Sequence, residues 1–181
     1  MKYKLKKINV ILICFIIFMY LELVFRLFTD NSIFNISLLY ISLYNLFLAI
    51  LISFLVSFGN NKINKIIFFI CLGIICFLYG LELCVFKMFG FYFDLSLFGA
   101  TDQVLTFYSD GIKVVLQNIV GLIFIFLPFI ILLIFNKYFA IRKIDWKYSL
   151  IKLGASVIVF IIFLLCLNIN KNNINSAQEL N

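Results

Sequence analysis

Five long apolar segments take up most of this 181-residue chain, and they constrain its fold more than any other feature. A helix needs about 20 apolar residues to cross a hydrocarbon core about 30 Å thick. Segments of that length run over residues 8–28, 36–58, 66–86, 112–135 and 148–169. Because backbone polar groups inside lipid must be paired within their own segment, these segments predict helices. We therefore expect an all-α polytopic membrane protein.

The composition supports this class. Hydrophobic residues make up 65% of the chain and the mean hydropathy is +1.17, whereas soluble domains contain about 45–50% apolar residues. The net charge of +7 comes from basic residues at the ends of the apolar segments. That placement is typical of topology signals, so we expect no nucleic-acid binding.

The residues that usually carry chemistry are scarce. The chain has no histidine, and its 5 cysteines all lie inside apolar segments with no CxxC spacing. The carboxylates form no cluster with metal-ligand spacing. The sequence therefore predicts no catalytic residue, no metal site and no cofactor in this chain.

The basic residues predict the orientation of the spans. Most of the 15 Lys and Arg residues lie before the first segment or in the connections after the second and fourth, whereas all of the 8 acidic residues except Asp145 lie on the other side. Because cytoplasmic loops carry an excess of Lys and Arg, we expect the N-terminus inside. Five spans then place the C-terminus outside, with a five-helix domain over residues 1–170 and a short polar extracellular tail over 171–181.

Ionisable residues near the outer ends of the spans are candidate functional groups. Glu22 and Arg26 share one face of the first segment at i, i+4 spacing, roughly 21 and 27 Å from its start. Glu82 lies at about 24 Å in the third segment, and Lys87 and Lys113 border the connection that follows. Two interpretations remain open. The charges form ion pairs that set helix register, or Arg26, Lys87 and Lys113 form a recess for an anionic phospholipid such as phosphatidylglycerol.

The connection over residues 86–111 has the sequence FKMFGFYFDLSLFGATDQVLTFYSDG, in which aromatic residues alternate with small and polar ones. Its apolar residues recur at near-helical spacing, which is typical of an interfacial or re-entrant segment. Ser96 begins a stretch that predicts a short surface helix. In the fourth segment, Pro128 removes a backbone donor and, with Gly121, predicts a weak point in the helix.

The region from Tyr79 to Pro128 resembles the membrane domain of the lipoteichoic acid synthase family, bacterial phosphoglycerol transferases related to sulfatases. The resemblance rests on V-F-K-M-F-G at the end of the third segment, F-D-L-S-L-F-G-A-T-D-Q-V in the connection, and L-P-F-I in the fourth segment. The number of spans and the outer C-terminus agree with that family. The resemblance implies a multi-pass protein of the bacterial plasma membrane that anchors an extracellular catalytic domain.

In that family the catalytic domain carries a threonine nucleophile and a manganese site, and it transfers glycerol phosphate from phosphatidylglycerol to a growing polymer. No position here matches either site, so no catalytic residue is carried over, and Thr101 and Thr106 belong to the membrane domain. Manganese is expected only for the missing catalytic domain. The resemblance therefore implies either a truncated or split member, whose partners are the lipid bilayer and a separate sulfatase-like catalytic domain, or a stand-alone anchor.

Two other functions remain possible on the sequence alone. The chain would be a small integral membrane protein that binds a partner through its helices, or a subunit that transports lipid-linked sugars. A transport subunit should place polar residues along a path through the bilayer, whereas these segments carry almost no charge below the outer layer. The sequence therefore disfavours the transport function.

Overall fold

The computed structural model describes residues 6–29, 36–92, 108–141 and 145–179, and helices make up nearly all of this part. Residues Phe135–Tyr138 form a 3-10 turn, and strand β1 (Lys6–Lys7) pairs with strand β2 (Phe139–Ala140) in parallel. The helices are α1 Val10–Thr29, α2 Ile36–Leu55, α3 Asn61–Phe89, α4 Tyr108–Gln117, α5 Ile119–Ile134 and α6 Trp146–Glu179. The predicted all-α class is confirmed.

Five stretches in the described part of the chain are helical, long enough and apolar enough to cross a membrane. Because each is at least 20 residues long, it satisfies its backbone hydrogen bonds internally over the thickness of a bilayer. The candidate spans are Val10–Thr29, Ile36–Leu55, Asn61–Phe89, Ile119–Tyr138 and Lys147–Asn168. The prediction of five spanning helices is therefore confirmed.

The helix ends differ from the predicted segments in two places. Helix α3 begins at Asn61 instead of residue 66 because Asn64 holds the preceding turn, where its Oδ1 atom accepts the N–H of Gly59 at 2.8 Å. Helix α6 continues to Glu179, through much of the stretch predicted as a polar tail. Hydropathy marks where a helix is apolar, and a helix continues past that point wherever its backbone bonds allow.

The predicted fourth segment contains a break at Asn118, which separates α4 from α5. The Nδ2 atom of Asn118 donates to the carbonyl of Val114 at 2.9 Å, and the backbone N–H of Asn118 donates to the same carbonyl at 3.0 Å. Asparagine side chains compete with the helix backbone in this way. The segment predicted to begin at Ser96, with residues 93–107, lies outside the described residues.

Pro128 lies inside α5, and the helix continues past it to Ile134. A proline has no N–H, so the carbonyl four residues earlier, that of Phe124, loses its helical donor. The hydroxyl of Tyr20 donates to this carbonyl at 3.0 Å. A side chain of α1 thus supplies the hydrogen bond that the proline removes, which matters in lipid because no water replaces it.

The chain divides into two compact units, and we describe each by itself. Unit 1 comprises Met1–Met19, Phe34–Phe68 and Lys137–Asn181. In it, α2 packs against α6 through aromatic side chains, with ring centroids 4.9 Å apart for Phe47 and Phe160. Ala49 on α2 has no exposed surface. Contact between aromatic rings therefore contributes to the packing of these two helices.

Unit 2 comprises Tyr20–Ile33 and Phe69–Asn136. Its helices approach closely at Gly121, where a Cβ atom would stand 2.8 Å from Leu83 Cδ2 and 3.2 Å from the ring of Phe28. Small residues at such positions let membrane helices gain van der Waals contact, which replaces the hydrophobic effect as the force between them. We therefore expect a larger side chain at Gly121 to require the side chains of Leu83 and Phe28 to shift.

The apolar surface is large. Half of the α1 span is buried, whereas 11% of the Ile119–Tyr138 span and 6% of the Lys147–Asn168 span are buried. The exposed side chains on these two spans are mainly Ile, Leu and Phe. Such a surface is far too apolar for a protein in water and suits the hydrocarbon core of a bilayer.

Candidate functional site

The charged residues predicted at the end of the first span form an ion pair in unit 2. The Nε atom of Arg26 lies 2.6 Å from the Oε1 atom of Glu22. Both side chains are buried, with exposed fractions of 6% and 10%. Their spacing of one helical turn places them on the same face of α1. The pair therefore carries both charges into the interior with each neutralised by the other.

A third polar group reaches this pair. The hydroxyl of Tyr79, on α3, donates to the Oε2 atom of Glu22 at 3.3 Å. The ring of Tyr79 also meets Phe25 edge to face, with centroids 6.1 Å apart. Phe25 lies 6.4 Å from the ring of Phe86 and 6.2 Å from that of Tyr92. The ring contacts of Phe25 with Tyr79 and Phe86 thus join α1 to α3 within unit 2.

The other three predicted site residues are more accessible. Glu82 is half-buried, and Lys87 and Lys113 are exposed. Arg26, which the lipid-recess interpretation also required, is buried against Glu22. The structure thus brings Glu22 and Arg26 together, and it presents Lys87 and Lys113 at the surface.

Unit 1 contains a polar site that the sequence analysis missed. Lys152 lies inside the Lys147–Asn168 span and is half-buried. Its Nζ atom donates to Ser53 Oγ at 2.7 Å, to Ser57 Oγ at 3.1 Å and to the carbonyl of Ser53 at 3.3 Å. Three donors and three acceptors match the bonding capacity of an ammonium group.

The two serines lie at the end of α2. Ser53 is on the helix and Ser57 is in the turn that follows it, and the hydroxyl of Ser57 donates to the carbonyl of Ser53. Their exposed fractions are 3% and 1%. Within the described part of the chain, no ion pair to a carboxylate is formed by Lys152. The sequence signal was present: Lys152 falls inside the predicted segment 148–169, and Ser53 and Ser57 fall inside 36–58.

Two further buried polar atoms belong to unit 1. The Nδ2 atom of Asn64 and the Oγ atom of Ser149 have no hydrogen-bond partner among the described residues, although Asn64 Oδ1 accepts the N–H of Gly59. Ser149 precedes Lys152 by three residues on α6, so the two share a helix face. One face of α6 therefore carries two polar side chains, Ser149 and Lys152, within an otherwise apolar span.

Metal-binding chemistry has no candidate in the described ranges, where no three His, Cys, Asp or Glu side chains lie close enough to hold an ion. All five cysteines lie in helices, and none forms a disulfide within the described residues.

Fold and composition together define the class of protein: an integral membrane protein with five candidate spans. Its association with a lipid bilayer follows from the length and apolar surface of those helices. No protein-family model, no curated protein and no solved structure matches the chain.

Proposed function

We propose that this chain is the membrane anchor of a phosphoglycerol transferase of the lipoteichoic acid synthase type, and that it holds an extracellular catalytic domain at the bilayer. The observation that carries the proposal is the set of five candidate spans in a chain whose exposed surface is mainly apolar. The motifs between Tyr79 and Pro128 resemble those of this family, and the proposed family assignment rests on that resemblance.

In this function the Glu22–Arg26 pair sets the register of α1 within unit 2. Burial of both charges and the bond from Tyr79 support that role, because the bond from Tyr79 on α3 to Glu22 on α1 forms in one register of the two helices and is lost when α1 shifts along α3. The side chains of Lys87 and Lys113 are exposed and take no part in this pair. We infer that the predicted layer divides into a structural pair and two accessible cations.

A fusion tests the anchor function. The catalytic domain of a lipoteichoic acid synthase-type enzyme is attached after Asn181 and expressed in a bacterial strain that lacks its own such enzyme. We expect polymer formation, measured by immunoblot of membrane extracts. The matched control carries the same catalytic domain on one unrelated spanning helix.

The proposal fails if the fusion is exported and hydrolyses a soluble glycerophosphate ester but makes no polymer. Equal polymer from the single-span control would show that the five-span domain contributes tethering alone.

A partner-binding membrane subunit is the second candidate, and Lys152 favours it. Lys152 lies inside a span and forms no ion pair within the described ranges, and an ionisable residue inside a span is a candidate contact for an acidic group of a partner. Crosslinking from a photoreactive residue at Ile151, which is exposed next to Lys152, would show a defined adduct if this function holds. A matched photoreactive residue at Leu116, exposed on α4, should give none.

A further inference from the structure

Residues from distant parts of unit 1 meet next to the starts of two spans. Strands β1 and β2 pair in parallel, with Lys6 opposite Phe139 and Lys7 opposite Ala140. The N–H of Ile8 extends the pairing by donating to the carbonyl of Ala140 at 3.4 Å. The residues that precede α1 are therefore joined to those that precede α6.

The start of α3 joins the same structure. The backbone N–H of Ile141 donates to the Oδ1 atom of Asn61, the first residue of α3, at 2.8 Å. The Nζ atom of Lys65 lies 4.9 Å from the ring centroid of Phe139, within range of a cation–π contact. Phe139 and Ile141 are buried, at 6% and 2% exposure, so the segment between them is held against the fold.

This arrangement gathers lysines. Lys62 and Lys137 are exposed and Lys65 is half-buried, and the β pairing adds the backbone of Lys6 and Lys7. In the described part of unit 1, Asp145 is the one acidic residue whose side chain is described. We name Lys62, Lys65 and Lys137 the basic collar.

We propose that the basic collar is a folded binding site for the headgroups of anionic phospholipids. Lys62 and Lys65 lie in the first turns of the Asn61–Phe89 span, and Lys137 lies at the end of the Ile119–Tyr138 span. Residues at the ends of spans lie near the lipid phosphates, which complement the ammonium groups in charge. Each lysine near an anionic leaflet strengthens binding about fivefold, which corresponds to about 1 kcal/mol.

A folded binding site requires a specific structure, whereas a topology signal requires charge alone. Charge alone sets the orientation of a span, whereas the collar requires Asn61 to hold residues 139–141 beside the lysines of α3. A variant that keeps every lysine but removes this bond therefore separates a folded site from dispersed charge. The proposal does not depend on the proposed anchor function.

The first experiment compares Asn61→Ala with Asn60→Ala. Asn60 is exposed and adjacent, and its backbone carbonyl, which the substitution retains, accepts the N–H of Asn64. Native mass spectra of the purified chain are recorded with phosphatidylglycerol and with phosphatidylcholine. We expect Asn61→Ala to lower the preference for phosphatidylglycerol at least about threefold, and Asn60→Ala to retain it. An unchanged preference in Asn61→Ala overturns the proposal.

A second variant covers the case in which Asn61→Ala does not fold. Lys62→Gln combined with Lys137→Gln alters two exposed side chains, and we expect it to lower the phosphatidylglycerol preference at least about tenfold. Lys87→Gln combined with Lys113→Gln makes the same change of net charge in unit 2. A preference that falls equally in both double variants, or only in the second, contradicts a site at the collar.

Discussion

In unit 2, Arg26 lies against the carboxylate of Glu22, whereas in unit 1, Lys152 lies against two serine hydroxyls and a backbone carbonyl. Both cations belong to candidate spans. Arg26 is buried to 5% exposure, while Lys152 is half-buried. The two units thus hold a positive charge inside a span in different ways: one by opposite charge, the other by neutral oxygens.

The difference has an energetic consequence. If one member of a buried ion pair is removed, the other remains as an uncompensated charge, which is strongly unfavourable in a medium of low dielectric constant. If Lys152 is removed, what remains is neutral, and Ser57 already donates to the carbonyl of Ser53. A lysine also has a long apolar stem, which lets its charge approach the headgroup region. The pair in unit 2 should therefore be far more sensitive to substitution.

The largest effect is expected for Arg26→Gln. This change leaves the Glu22 carboxylate buried without its partner, so we expect the free energy of unfolding to fall by about 3 kcal/mol. Unfolding is followed in mixed micelles by titration with a denaturing detergent.

The control for this prediction neutralises both partners, by Glu22→Gln together with Arg26→Gln. We expect it to recover more than half of the lost stability, because no unpaired charge remains. If the double variant is as unstable as Arg26→Gln alone, opposite charge is not what holds this site.

A smaller effect is expected for Tyr20→Phe, which removes the donor to the carbonyl of Phe124. We expect a loss of about 1 kcal/mol, since the carbonyl then has neither a helical donor nor water. In a Pro128→Ala background, residue 128 regains its N–H and can donate to the same carbonyl. The loss should then fall below about 0.5 kcal/mol, and equal losses in the two backgrounds would show that the hydroxyl does not compensate for the proline.

The smallest effect is expected for Lys152→Met. Its three hydrogen bonds are lost, but such bonds in membrane proteins average about 0.6 kcal/mol each, and the cost of a cation inside the span is removed at the same time. We expect the free energy of unfolding to change by at most about 1 kcal/mol. Lys147→Met, at an exposed position on the same helix, is the matched control. A loss as large as that of Arg26→Gln would remove the distinction between the units.

The sequence alone predicts the features that depend on a local pattern of residues. Each spanning helix is an uninterrupted apolar run, so its existence follows from composition over a window of about 20 residues. The i, i+4 spacing of Glu22 and Arg26 likewise predicted that the two share a face, and the structure contains their ion pair. Local patterns of this kind need no knowledge of the rest of the fold.

Contacts between distant residues had no such signal. The bond from Lys152 to Ser53 joins residues far apart in sequence, and the pairing of Lys6–Lys7 with Phe139–Ala140 joins residues farther apart still. Lys152 lies inside the predicted segment 148–169, but no residue near it in sequence indicates that Ser53 and Ser57 are its partners. The break at Asn118 has a local signal, an asparagine within an apolar run. The sequence instead predicts the weak point at Pro128, because no residue near Pro128 in sequence indicates that Tyr20 replaces the missing hydrogen bond.

Labelling of single cysteines tests whether all five candidate spans cross the membrane, and in which direction. In a variant without its native cysteines, one cysteine is placed at Lys2, Asn60 or Asn172, and cells are treated with a membrane-impermeant thiol reagent. Five spans with an inner N-terminus predict labelling of residue 172 in intact cells, and labelling of residues 2 and 60 only after permeabilisation. The reverse pattern would keep five spans and overturn the orientation, whereas labelling of residues 2 and 172 from the same side would contradict five spans.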